Sequence, residues 1–175
     1  MDNPEQTKSL PKPVYIVDGS RTPFLKAKGK PGDFAAVDLA LGCAQPLLAR
    51  QSFSAKQLDE VIVGCMMPGP DEANIARVIA LRLGCGKKVP AWTVQRNCAS
   101  GMQAIDSAAS DISLGRANLV LAGGVEAMSH APVLLNTEML GWLGRLAMSK
   151  NTKDKLKTFT VLRNSQLKNL IGLSS

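Results

Sequence analysis

The chain has 175 residues, enough for one domain with a sizeable core, and only 4% of them are aromatic, so alanine, valine, leucine and glycine must carry the interior. The net charge of +7 is concentrated at one end: residues 1–144 hold 14 Lys and Arg against 13 Asp and Glu, while residues 145–175 hold 7 against 1. A basic tail on a balanced domain, without stacking aromatics or a reader motif, makes nucleic acid an unexpected partner, and no run reaches the ~18 apolar residues of a membrane span.

Residues 1–12 have no apolar stretch behind a basic start, which argues against a secretory signal. Asp2 and Glu5 without any arginine argue against a mitochondrial transit peptide. The segment reads as a flexible lead-in. Residues 14–17 (VYIV) are an apolar run bounded by prolines before and Asp18-Gly19 after, the pattern of a buried central strand. Arg21-Thr22-Pro23-Phe24 follows as a turn, then a Lys/Gly/Pro loop at 26–32. Asp33 is a candidate cap for a helix over 34–48, where Val37, Leu41, Ala44 and Leu48 recur at helical spacing and Pro46 can bend or shorten it. Ser54 can cap a short turn through Leu58, and Val61-Ile62-Val63 reads as a strand ending at Gly64.

Pro68-Gly69-Pro70 breaks the pattern. A second helix is expected over 71–84, with Ile75, Val78, Ile79 and Leu83 on its apolar face and Gly84 or Gly86 ending it. Residues 89–94 return as a strand. Asn97 is then a candidate N-cap, with Cys98 in the first turn of a helix running to about Leu114. Met102, Ile105, Ala109 and Ile112 share one side of it. Ala99, Ser100, Gly101, Ala104, Ser107 and Ala108 occupy the other faces, and so many small residues predict close burial on several sides. Gly115 closes this helix, and residues 119–122 form a strand stopped by Gly123-Gly124. Beyond Pro132, Leu134, Leu135, Met139, Leu140, Trp142, Leu143 and Leu146 fit one amphipathic segment. From Ser149 on, no strand is expected, only loose helix or disorder.

Strands alternating with helices predict an α/β fold with a mostly parallel sheet and right-handed crossovers. In such sheets active groups gather at the carboxyl ends of strands, and Cys98 lies just beyond one. Unpaired N–H groups and the positive end of a helix dipole stabilise a thiolate at such a position, although a cysteine can equally serve as a small core hydrophobe. The cysteines, Cys43, Cys65, Cys85 and Cys98, form no C-x-x-C pair, and His130 is the only histidine. No zinc or other metal site is expected. Free thiols in a reducing, cytoplasmic setting are.

Asn97-Cys98-Ala99-Ser100-Gly101-Met102-Gln103-Ala104-Ile105 resembles the acyl-enzyme motif of the thiolases. Val17-Asp18-Gly19-Ser20-Arg21-Thr22-Pro23-Phe24 is similar to the family's N-terminal strand and turn. Asp59-Glu60-Val61-Ile62-Val63-Gly64 and Asn74-Ile75-Ala76-Arg77 are similar to its second strand and following helix. Gly123-Gly124-Val125-Glu126-Ala127-Met128-Ser129 resembles its G-G-x-E-x-M-S segment. The pieces occur in order across residues 13–136, most of the chain, in the manner of acetyl-CoA acetyltransferases and 3-ketoacyl-CoA thiolases.

The resemblance implies a thiolase-like layered fold, here its N-terminal half with a buried nucleophile helix. It also implies Cys98 as the nucleophile. The thiolate would attack the keto carbon of a 3-ketoacyl-CoA, or the thioester of acetyl-CoA in the synthetic direction, giving an acyl-cysteine that passes its acyl group to CoA or to an acetyl-CoA enolate. CoA and acetyl-CoA would be substrates, with no permanently bound cofactor and no membrane partner. In the family a second half supplies a histidine in a G-H-P motif and an acid/base cysteine in a C-x-G motif. Neither motif occurs here, and His130, just past the G-G-x-E-x-M-S segment, is expected to be structural.

Residues 13–136 are thus the expected thiolase N-terminal domain. Residues 137–175 are expected to be a truncated loop-domain region with a basic tail. Activity alone is expected to be impaired. The chain is expected to form a homo-oligomer or to pair with another thiolase chain through residues 89–95, or, alternatively, to act only as such an interaction module.

Overall fold

Val61, Ile62 and Val63 are three consecutive β-branched residues, a pattern that suits a pleated strand buried on both faces. They form the middle of β1 (Glu60–Gly64) in a three-stranded parallel sheet. β2 (Ala91–Val94) and β3 (Val120–Gly124) flank it in the order β2-β1-β3, with Ile62 in register with Trp92 on one side and Ala122 on the other. The parallel α/β expectation therefore holds. The computed structural model describes residues 13–27, 30–132, 135–149 and 151–160; the expected lead-in at 1–12 and the end of the basic tail, 161–175, lie outside the described residues.

Alternation along β1 divides the core. Val61 and Val63 point to the face covered by α1 (Ala36–Ala49) and α2 (Ile75–Arg82), where they pack with Val37, Ile75 and Ile79. Ile62 points to the other face and packs with Ala104 and Ala108 of α3 (Ser100–Ser113). All three strand residues are buried, each worth roughly 1.5–3 kcal/mol relative to exposure.

Several element ends differ from the sequence reading, each for a local reason. Asp33 does not cap α1. The carboxylate of Asp38 accepts the Ala35 N–H at 3.1 Å, and Glu72, far away in sequence, accepts the Val37 N–H at 3.2 Å. Pro46 lies inside α1 without ending it. The expected helix over 71–84 is split: Pro70–Glu72 is a single 3-10 turn, and α2 starts at Ile75 because the Asn74 side chain caps it, accepting the Arg77 N–H at 3.2 Å. The Asn74 side chain also donates to the Ala91 carbonyl at 3.3 Å and accepts from the Thr93 hydroxyl at 3.0 Å, which laces α2 to β2.

The run at 14–17 does not form the expected central strand. Tyr15, Ile16 and Val17 are 76%, 84% and 75% exposed, and none of them pairs with the described sheet. Apolar, β-prone composition is a demand for a partner, and neither β2 nor β3 takes this run beside it. Its end is instead pinned by charge. Asp18 receives Arg50 Nε at 2.7 Å and Nη2 at 2.9 Å and Gln51 Nε2 at 2.5 Å, and Arg50 also donates to the Gly19 carbonyl. The guanidinium holds the Asp18 carboxyl well below the usual carboxylate range.

The chain forms two compact units that divide between Ala131 and Pro132. The second holds α4 (Thr137–Met148) and α5 (Thr152–Thr160). The expected amphipathic segment is present from Thr137 on as α4, with Met139 and Trp142 buried; Leu135 precedes the helix and Leu134 lies outside the described residues, while the weakly patterned stretch after Ser149 is helical as far as it is described. Trp142 joins the two helices: its ring meets Phe159 edge to face at 5.4 Å, and its indole N–H donates to the Thr158 carbonyl at 2.9 Å. No helix of the described residues is long and apolar enough to cross a membrane.

Three glycines bring α3 onto the sheet. A Cβ on Gly64 would lie 2.3 Å from the Ser100 carbonyl carbon and oxygen, and one on Gly124 would lie 2.7 Å from the Gly101 Cα. These are backbone atoms, so no rotamer change relieves the clash. We expect Gly64→Ala and Gly124→Ala each to destabilise the fold by at least the ~1–3 kcal/mol typical of overpacking. The neighbouring Gly123→Ala, which meets nothing within 4 Å, should change stability by less than about 0.5 kcal/mol. Urea unfolding midpoints of the three variants test this contrast.

Asp59 joins the starts of two strands by accepting the N–H groups of Asn118 at 2.7 Å and Leu119 at 3.1 Å, which holds its carboxyl below the ordinary value. A depressed carboxyl contributes stability above its unfolded pKa of about 3.9 and loses it as pH falls. Asp59→Asn should therefore be less stable than wild type at pH 7, and the gap should close in thermal unfolding as pH is taken below about 4.

Candidate active site

The carboxyl ends of all three strands meet the start of α3. β2 ends at Val94, and Gln95-Arg96-Asn97-Cys98-Ala99 forms the turn before Ser100 opens the helix. Asn97 has φ of 46°, the only non-glycine residue among those described in the left-handed region. Asparagine tolerates that conformation better than most side chains. Asn97 is thus the bend itself and not the N-cap expected from sequence. The cap position falls on Ala99, whose side chain makes no capping bond.

The turn is closed from within by Ser100. Its hydroxyl accepts the Arg96 N–H at 2.8 Å and donates to the Asn97 carbonyl at 2.7 Å, and the residue is buried. Backbone bonds from Ala99 N to the Arg96 carbonyl, 3.0 Å, and from Ser100 N to the Asn97 carbonyl, 3.2 Å, complete it. Ser100 carries the geometry of the turn, a role that sequence reasoning did not assign. A small hydroxyl two residues after the cysteine, able to reach backbone groups on both sides of the bend, is the signal that was available.

Cys98 sits at the crest of this turn and is exposed, whereas Cys65 and Cys85 are buried and Cys43 is partly so. The environments divide four chemically identical groups. Burial pushes the Cys65 thiol up to about 12, and the nearby Glu126 charge adds to it. Burial also raises Cys85 and Cys43. The sulfur of Cys98 makes no hydrogen bond to a described residue.

His130 is not brought to Cys98 by any hydrogen bond. Its Nε2 lies 2.8 Å from the Gly32 carbonyl, while the neighbouring Ser129 hydroxyl accepts the Gly32 N–H at 3.2 Å. The pair clasps the loop before α1, in keeping with the structural role expected for it. Among the described residues no group of three or more His, Cys, Asp or Glu side chains is placed to hold a metal ion.

Glu126, part of the sequence segment that follows β3, also turns into the site. Its carboxylate accepts the N–H of Met66 at 2.8 Å and of Met67 at 3.3 Å, with the Cys65 thiol 3.7 Å away. The Met66 carbonyl in turn accepts the side-chain amide of Gln95, the residue that opens the Cys98 turn. On the outer side of α3, Met102 is 69% exposed and Ile105 is exposed, while Ser100, Ala104, Ala108 and Ser113 are buried. The small-residue face is the one pressed on the sheet; the larger apolar residues look away from it.

This geometry can be set beside known proteins. A family model described as the thiolase N-terminal domain matches residues 14–174. The beta-ketoadipyl-CoA thiolase of Acinetobacter baylyi is 41% identical over 143 residues, 81% of this chain and 35% of that protein. The mitochondrial 3-ketoacyl-CoA thiolase of Pongo abelii is 37% identical over 129 residues, 73% of this chain and 32% of that protein. Among solved structures, the acetyl-CoA acetyltransferase of Bacillus anthracis is similar with a TM-score of 0.57 and 44% identity, over 61% of this chain and 27% of that one. A thiolase of Ascaris suum, solved in complex with coenzyme A, is similar with a TM-score of 0.56 and 31% identity, over 59% and 27%. The chain spans about a third of the length of the curated relatives it matches. The motif order, the partial layered α/β fold and the family match across residues 14–174 agree: this chain belongs to the thiolase family.

Proposed function

We propose that the chain is the nucleophile-bearing part of an acyl-CoA acyltransferase and that Cys98 is its acyl acceptor. The observation that carries this reading is the placement of Cys98: the exposed thiol of the four stands on a left-handed bend between a parallel strand and the helix that follows it. Relatives named for thiolysis of acyl-CoA compounds, and one solved with coenzyme A, support CoA thioesters as the substrate class.

In the reaction so assigned, the Cys98 sulfur attacks the thioester carbon of acetyl-CoA, the carbon–sulfur bond to CoA breaks, and CoA leaves as its thiol after taking up a proton. With a 3-ketoacyl-CoA, sulfur attacks the keto carbon and the adjacent carbon–carbon bond breaks. Acetyl-CoA is released when the resulting enolate takes a proton, and CoA thiol then removes the acyl group from cysteine. A cysteine in such a cycle needs a base to take and return protons. The only histidine, His130, is engaged with Gly32, and Cys98 has no hydrogen-bonded partner among the described residues. Acylation without sustained turnover is therefore the behaviour proposed for these 175 residues alone, with the cytoplasm as the setting.

A second reading, an interaction module without catalysis, is favoured by two observations. β2 is an edge of the described sheet, and α3 presents Met102 and Ile105 outward. An open strand edge beside exposed apolar residues is a pairing surface for another copy or a related chain. Residues 89–95 would form that contact.

Incubation with acetyl-CoA followed by intact-mass spectrometry separates the readings. One acetyl group per chain, lost in Cys98→Ser, is expected for the acyl acceptor. Labelling that persists in Cys98→Ser removes Cys98 from the role, and a folded chain that takes no acetyl group favours the interaction module. Iodoacetamide at pH 8 should alkylate Cys98 first and Cys65 last, as read by peptide mass spectrometry. At that pH a thiol with a pKa of about 12 leaves roughly one thiolate in ten thousand, and Cys65 is buried as well.

A further inference from the structure

Glu126 lies in β3's exit segment and is not in contact with Cys98, yet every group it holds belongs to the loop that the Cys98 turn leans on. Two successive N–H groups, Met66 and Met67, donate to its two oxygens, and the Cys65 thiol sits against the same carboxylate. Burial and that carboxylate keep the Cys65 thiol protonated, so it remains a donor. With its N–H fixed on Glu126, the Met66 peptide directs its carbonyl to the Gln95 side chain. Gln95 is followed by Arg96, whose N–H and carbonyl are taken by the Ser100 hydroxyl and the Ala99 N–H. The same loop begins at Gly64, whose backbone packs on Ser100 and whose carbonyl accepts the Val125 N–H at 3.0 Å.

We propose that Glu126 is a positioning residue for Cys98, acting through the Met66 peptide and the Gln95 side chain to hold the 95–100 turn in its bent form. The inference rests on the reading of Cys98 as acyl acceptor where it concerns reactivity, but its structural half stands without that reading. The two N–H donors take one carboxylate oxygen each, and an amide side chain in the same orientation would accept one of them and present an N–H to the other. Gln95 is exposed, so its truncation removes the last link without emptying the core.

The test is a double-mutant cycle on the full chain with Glu126→Gln, Gln95→Ala and the pair. Its first readout is amide hydrogen exchange at Ala99 and Ser100. Each single variant should speed exchange there about tenfold while the α2 amides stay as in wild type, and the double variant should be no faster than the faster single. Unchanged exchange at Ala99 and Ser100 in either folded variant overturns the proposal, and so does a double variant in which the two effects multiply, because independent sites add in free energy. If Glu126→Gln fails to fold, Gln95→Ala alone still decides: slow, wild-type exchange at the turn refutes the linkage.

The second readout is the rate of single-turnover acetylation by acetyl-CoA, expected to fall about tenfold in each single variant and no further in the double. Wild-type rates in the single variants refute the reactive half. Acetylation that Cys98→Ser leaves intact would sink the acyl-acceptor reading instead, with the exchange results unaffected.

Discussion

The structure depends on an approach of backbone to backbone. Gly64 ends β1, Gly124 ends β3, and Gly101 lies in the first turn of α3, and none of the three carries a side chain to keep the others apart. Helices ordinarily stand off a sheet by the thickness of two side-chain layers. Here the first turn of α3 touches the sheet directly, and Ala104 and Ala108 keep the spacing small further along. The gain is positional: the start of α3, and with it the bend that carries Cys98, is held at the carboxyl edge of the two strands by contacts that have no rotamers to vary.

From that fixed point the surrounding polar groups follow. The chain must leave β2 and enter α3 within five residues, so one of them adopts φ above zero, and it is an asparagine. The bend leaves backbone groups of Arg96 and Asn97 needing partners in a partly buried place, and the Ser100 hydroxyl supplies both. The loop after β1 has the same requirement, and Glu126, in the segment that leaves the neighbouring strand β3, meets it. Backbone rigidity at the glycines and hydrogen-bond satisfaction around them are two parts of one arrangement.

The β-branched triplet of β1, the glycines that stop β1 and β3, and the transition from strand to helix around Cys98 were legible because each depends on residues adjacent in sequence. What was not legible depends on residues far apart. The run at 14–17 has the composition of a buried strand, but composition states a need for a partner without naming one, and its exposure here reflects pairing, not propensity. Asp33 is a good cap by type, yet Glu72, 35 residues from Val37, occupies the place a cap would fill. The close burial of α3 on several sides, expected from its many small residues, is met on one side only: the glycine contact draws the small face onto the sheet, and Met102 and Ile105 stay exposed. At His130 sequence position was enough to indicate a structural role, and only the fold identifies Gly32 as the group it holds.

In the proposed chemistry, placing a nucleophile and activating it are separate tasks, and the described residues address the first. Position comes from the glycine contact, the left-handed bend and the Ser100 bridge, all built from residues within this sheet and helix. Activation needs a proton acceptor at the sulfur, and no described side chain is bonded there. A thiol that is rigidly placed and solvent-accessible can still react once with an activated thioester, because a single stoichiometric step needs no group to be regenerated. Repeated turnover asks for more, since each cycle must move protons between sulfur and carbon or sulfur and CoA at a defined site. The division predicts that perturbing the turn changes how well Cys98 is presented, whereas supplying a base changes how often it can be reused. Those two quantities are independent in rate, and a chain built in this way would gain the second by contact with another folded surface without any change to the first.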